Sequence, residues 1–117
     1  MISELSKSIM EEFNLEKIEI NTGESVITDY KFKDLIQETG HLMWPYRDGK
    51  FGLARDIYFN NNDSYYWWGY TGSIVLSDEN QIRKHLSYIR SSIGKKIKKF
   101  KKTLVKKKLS KMESDFV

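Results

Sequence analysis

Nine lysines stand between residues 95 and 108: Lys95, Lys96, Lys98, Lys99, Lys101, Lys102, Lys106, Lys107 and Lys108. Ammonium groups this dense repel one another unless solvent or an anionic surface takes up the charge. No arginine occurs between 91 and 117, so bidentate guanidinium readout of bases is not expected. What remains is point-charge contact with an anionic partner. Ile97, Phe100 and Leu104 interleave the lysines at helical spacing and give the same stretch an apolar contact stripe.

Three partners fit that combination: an acidic protein partner offering a groove, a nucleic acid backbone, or an anionic membrane surface. The stripe also suits a homodimer formed through the C-terminal helix. Against all of these stands a solvated charge run, or one that folds back onto the chain's own acidic body.

A second group is aromatic. Ten of the sixteen aromatic residues lie between Trp44 and Tyr70. On a strand through residues 65–70, Tyr65 and Trp67 point one way, and Tyr66, Trp68 and Tyr70 the other. Trp44, Tyr66, Trp67, Trp68 and Tyr70 are candidate partner-binding residues, because stacked aromatics supply protein hot spots. Cross-strand core packing is the competing use of the same rings.

Catalytic constellations are not expected. His41 and His85 have no metal-ligand spacing. Gly69-Tyr70-Thr71-Gly72 is too short for a phosphate loop, which leads from a strand into a helix N-terminus. Arg47-Asp48 and Arg55-Asp56 are neighbours whose side chains diverge on strands. With no cysteine in the chain, disulfides and thiolate metal sites are excluded. No cofactor and no metal are expected, and the protein is read as a non-enzyme.

The elements that must carry these residues follow from periodicity. Ile2, Leu5, Ile9, Met10 and Phe13 make one face of an N-terminal helix, with Ser3 as its cap and Asn14 as its stop. Lys17 to Asn21 alternates as a strand, Thr22-Gly23-Glu24 turns, and residues 25–32 return. Phe32, Leu35 and Ile36 fit a short helix closed by Gly40. His41 to Arg47 and Lys50 to Phe59 form a hairpin around Asp48-Gly49, a pair suited to the two positive-φ positions of a type I′ turn. Asn60 to Asp63 turns again, and Ser64 to Leu76 is the next strand, bent at its glycines.

Ser77 caps the last helix. Its apolar positions, Ile82, Leu86, Ile89, Ile93, Ile97, Phe100 and Leu104, recur with an eleven-residue period that keeps them in phase. One continuous helix through Gly94 is therefore expected, its basic part projecting past the body. After Leu104 the apolar phase moves to Val105, Leu109, Met112 and Phe116.

The fold class is thus α+β: an N-terminal helix, an antiparallel β-meander of three to five strands, and a long basic amphipathic C-terminal helix. Residues 1–93 hold ten basic and fourteen acidic residues, a balance of −4, and form a compact acidic body. Residues 94–117 hold ten lysines and two acids, a balance of +8, and form a lysine-rich extension of the helix. The acidic N-terminus lacks signal-peptide character, and no segment approaches the roughly 20 apolar residues of a membrane span, so a cytoplasmic location is expected. The function expected first is a small inhibitor- or immunity-type protein that occupies a partner protein's surface. The alternative is a nucleic-acid-binding accessory protein making non-specific phosphate contacts.

Overall fold

The structure, a computed structural model, describes residues 2–35 and 38–115, with side chains described up to residue 107 and that of Glu38 excepted. It is α+β, as expected. A short helix α1 (Lys7–Glu12) leads into strands β1 (Leu15–Asn21) and β2 (Val26–Phe32). There follow β3 (Glu38–Thr39), β4 (Met43–Pro45), β5 (Phe51–Leu53), β6 (Asp56–Asn61), β7 (Tyr66–Thr71) and β8 (Ile74–Leu76). The long helix α2 (Glu79–Asp115) ends the described chain.

The strands form two sheets rather than one meander. An antiparallel five-stranded sheet runs β1-β2-β4-β5-β8, and a three-stranded sheet runs β3-β7-β6. Within the second, β3 lies parallel to β7, with Glu38 beside Trp68. Residues 33–35 are not helical, so the short helix expected over Phe32 and Leu35 is replaced by the end of β2 and a turn; Ile36 lies outside the described residues. Gly40 does take a left-handed φ of 86°, but it follows a strand.

The two expected long strands each divide between sheets. Lys50–Phe59 splits at Ala54-Arg55, where Ala54 N–H donates to the Leu42 carbonyl and Arg55 N–H to the Gly72 carbonyl. Ser64–Leu76 splits at Gly72, whose φ of 69° turns the chain from β7 into β8. Glycine tolerates that conformation without the Cβ clash that other residues meet.

The tight turns form where their residue types direct them. Asp48 and Gly49 have φ values of 57° and 79°, both positive as a type I′ turn requires. Asn62 Oδ1 accepts from the N–H groups of Ser64 and Tyr65 and so closes the β6–β7 hairpin.

Inward-facing residues of both sheets share one core with α1 and α2. Tyr30, Phe32, Met43, Phe51 and Leu53 come from the larger sheet, Ile57, Trp68 and Tyr70 from the smaller, and Leu5, Ile9 and Phe13 from the N-terminal segment. Ile82, Leu86, Ile89 and Ile93 of α2 are all 1 % exposed or less. Ile2, expected on the apolar face of α1, is exposed and bridges instead to Arg47.

Both helix caps sit away from the expected residues. Ser6 caps α1, accepting from Ile9 N–H, while Ser3 is buried and its N–H donates to the Tyr46 carbonyl. Asn14, with φ 53°, follows the helix end as expected. For α2 the cap is Asp78, not Ser77. The Asp78 side chain accepts from Gln81 N–H at 3.0 Å, and its carbonyl accepts from Ile82 N–H. A carboxylate there also meets the positive end of the helix dipole. Asp78→Ala should therefore cost about 1 kcal/mol in urea unfolding, against a few tenths for Ser77→Ala.

Candidate anion-binding helix

The first four turns of α2 are fastened to the body by directional contacts. Arg83 Nε donates to Glu12 at 3.0 Å, and another guanidinium nitrogen donates to Ser8. His85 Nε2 lies 2.6 Å from the Ala54 carbonyl, and Tyr88 Oη donates to Asp56. Arg90 grips Asp34 with both terminal nitrogens and lies 5.0 Å over the Phe32 ring. Both arginines of the helix thus serve it internally, as planar forks matched to carboxylates.

Past Ile93 the helix continues without a break through Gly94. It does not leave the body bare, because the β6–β7 hairpin runs alongside it. Tyr66 stacks on Phe59 at 5.3 Å and meets Phe100 edge-on at 5.3 Å. At the hairpin tip Asp63 accepts from Lys107 Nζ at 2.7 Å. The expected free projection is therefore corrected on one flank. Phe100 belongs to an aromatic bracket, and Lys107 has an acid partner of its own.

The other flank is open. Gly94, Ile97 and Val105 form the floor of a shallow, open surface trough along this one helix, bordered by Lys98, Lys101, Lys102 and Lys106. Val105 is 56 % exposed, while Ile97 and Leu104 are half-buried. On the hairpin side Lys96 and Lys99 line a smaller recess of 340 Å³ with Phe59, Asn61, Phe100 and Thr103. Lys95 is exposed, and the side chain of Lys108 lies outside the described residues, as do those of Leu109, Met112 and Phe116.

Among the described residues, Lys107 is the one lysine between 95 and 107 with an acidic side chain within ion-pair distance. The other seven described lysines of the array, Lys95, Lys96, Lys98, Lys99, Lys101, Lys102 and Lys106, have no such partner. Among the described residues, the lysine run therefore meets an acid of residues 1–93 at Lys107 alone. Over residues 95–106 these lysines span about 17 Å of helix axis.

The aromatic candidates do not form one surface. Trp68 and Tyr70 are 1 % and 9 % exposed and belong to the core, so they are not available to a partner. Tyr66 is half-buried under Phe100. Trp67, 42 % exposed, points outward with Tyr65 at a centroid distance of 5.6 Å. Trp44 lies on the other sheet, over Gly52 and edge-on to Tyr46. A Cβ on Gly52 would fall 2.1 Å from the Trp44 indole nitrogen, so the ring occupies the space that glycine leaves.

Tyr58 completes the outward face around Trp67. Its hydroxyl meets Thr39 Oγ1 above Gly69, a grouping set by the β6–β7 register, in which Tyr58 faces Gly69. Strand alternation separates Trp67 from its neighbours, but only this register brings Tyr58 beside it. No group of three metal-ligating side chains occurs among the described residues, and no helix there is long and apolar enough to cross a membrane. No protein-family model, curated protein or solved structure matches the chain.

The electrostatics of the helix supports yield a pH dependence. The hydrogen bond from Arg90 holds the Asp34 carboxyl below the ordinary carboxylate range, and Lys107 does the same for Asp63. A carboxyl with a lowered folded pKa contributes stability that is present above its unfolded value and lost as pH falls through the folded one. Unfolding free energy should thus decline below about pH 4, and Asp34→Asn should flatten that decline in acid titrations followed by circular dichroism.

Gly94 gives a second test. A Cβ there meets nothing within 4 Å, and its backbone is helical. Gly94→Ala should raise stability by about 1 kcal/mol in urea unfolding, by removing glycine's entropy cost in a helix interior.

Proposed function

We propose that the protein is a non-catalytic binding protein of inhibitor or immunity type, which occupies an acidic surface of a partner protein through the open flank of α2. The observation that carries this is the trough, in which Ile97 and Val105 lie between four lysines that have no acid partner among the described residues. An acidic amphipathic helix supplies both halves of the complement: apolar residues for the floor and carboxylates for the walls. A phosphate backbone answers the charges alone. Trp67, with Tyr58 and Tyr65, forms a separate outward aromatic face that can add a second point of contact. A cytoplasmic location belongs to the same proposal.

Nucleic acid is the second candidate, favoured by Lys95, Lys98, Lys99, Lys102 and Lys106, which cluster on the side of the helix away from the core. With about five phosphates neutralised, the log–log salt slope would be about −4 to −5. An anionic membrane surface would show as binding to vesicles that contain acidic lipid.

One set of variants separates these. Ile97→Ser with Val105→Ser keeps every lysine, and Lys98, Lys101, Lys102 and Lys106 changed to Gln keeps the floor. If the first pair abolishes a nuclease-resistant complex with a protein from the source cells, the proposal stands. If only the lysine set matters, and the bound material disappears with nuclease, the protein is a phosphate binder.

A further inference from the structure

β1 is an outer strand of the five-stranded sheet, paired on one edge with β2 alone. Among the described residues, no backbone hydrogen bond joins residues 16–20 to anything other than β2. An edge of unpaired N–H and C=O groups is a template for another strand unless something covers or repels it. No bulge or proline interrupts these residues, and the side chains beside the edge are sorted by face. Lys17 and Glu19 share one face and contact each other at 3.4 Å. Glu16, Ile18 and Ile20 share the other, where Ile20 and its cross-strand neighbour Ile27 are both 48 % exposed.

The order Glu16-Lys17-Ile18-Glu19-Ile20 is self-complementary in one antiparallel register. When β1 meets a second β1 about a two-fold axis at Ile18, Lys17 of each chain stands opposite the copy's Glu19. Ile18 then stands opposite the copy's Ile18, and Ile20 lies against the copy's Glu16. Side chains alternate, so a register that keeps the faces matched can move only to the next residue of the same face. One such step centres the axis on Lys17 and sets two lysines against each other. The opposite step centres it on Glu19 and does the same with two glutamates. Opposite charges directly across a strand pair stabilise it and like charges destabilise it.

We propose that the chain forms an isologous homodimer by antiparallel pairing of β1 with β1 of a second copy, centred on Ile18. The two five-stranded sheets become one continuous sheet, and Ile18, Ile20 and Ile27 of both copies share its outer face. The Lys17–Glu19 ion pair and each edge hydrogen bond occur twice, as two-fold symmetry requires. This pairing makes no use of the lysine helix and stands whether or not the trough binds a protein.

The test is a charge swap read by sedimentation equilibrium of the full chain from micromolar to millimolar concentration. The unmodified protein should show a concentration-dependent monomer–dimer equilibrium. Lys17→Glu or Glu19→Lys alone should weaken it at least about tenfold, because each change places two like-charged pairs across the interface. The double change restores the pairing with its signs exchanged and should return affinity to within about threefold of the original. A protein that stays monomeric throughout overturns the proposal. So does a dimer indifferent to the single changes, or a double variant no better than either single. Because the swap is on exposed side chains and the double variant must recover, loss of folding cannot imitate the expected result.

Discussion

Burial of the α2 stripe against two sheets at once is the contact on which the rest of the structure depends. Neither sheet could stand alone: β4, β5 and β8 have three residues each, and β3 has two. Isolated strands that short do not persist in water. Ile82, Leu86, Ile89 and Ile93 give both sheets a common apolar floor, and the chain can therefore pass from one sheet to the other at residues 54–55 and again at Gly72. A fully buried aliphatic side chain contributes roughly 1.5–3 kcal/mol. Four of them in line outweigh any of the surface ion pairs, which as exposed contacts contribute at most about 1 kcal/mol each. Arg83 and Arg90 orient the helix; the isoleucines and leucine hold it.

The same stripe prepares the outer half of the helix. An eleven-residue apolar period stays in phase with a nearly straight helix, so Ile97, Phe100 and Leu104 leave the body on the line that Ile93 occupied within it. The β6–β7 hairpin reaches one side of that line with Tyr66, Phe59 and Asp63. Among the described residues no element covers its other side, and there the aliphatic stems of lysine border Ile97 and Val105. Long basic side chains suit such an edge, since their methylenes lie on apolar surface while the ammonium groups stay in water. The division of cations along α2 follows from their shapes. Arginine's fork pairs with Glu12 and Asp34 at the surface of the body, and lysine's point charge stands farther along the helix.

Within β7 the aromatic residues divide by the parity of their position. Tyr66, Trp68 and Tyr70 face the helix, and Trp67 faces away with Tyr58. An abundance of rings in β7 is thus one packing layer and one outward face. The buried layer explains why so small a three-stranded sheet is ordered, for Trp68 and Tyr70 meet edge to face at 5.2 Å and span the space that short strands leave.

Local chemistry determined a good deal from the sequence alone. The α+β class, the uninterrupted helix through Gly94, the Asp48-Gly49 turn and the in-phase stripe all rest on interactions within a few residues. Periodicity and backbone preference report those directly. Tertiary structure decided the rest. Whether Ser77 or Asp78 caps α2 depends on where the strand β8 ends. Glycines at 69 and 72 announce a break in a strand but not that the chain changes sheets there. The parallel pairing of β3 joins segments thirty residues apart and has no local signature. The fate of the lysines was likewise undetermined, because a charge run reads the same whether it is paired, solvated or free. Only the hairpin's position shows that Lys107 has found Asp63 while the lysines around Ile97 have found no acid among the described residues. That outcome is a matter of which surfaces the core brings within an ångström or two of each other, and sequence spacing does not encode distances of that kind.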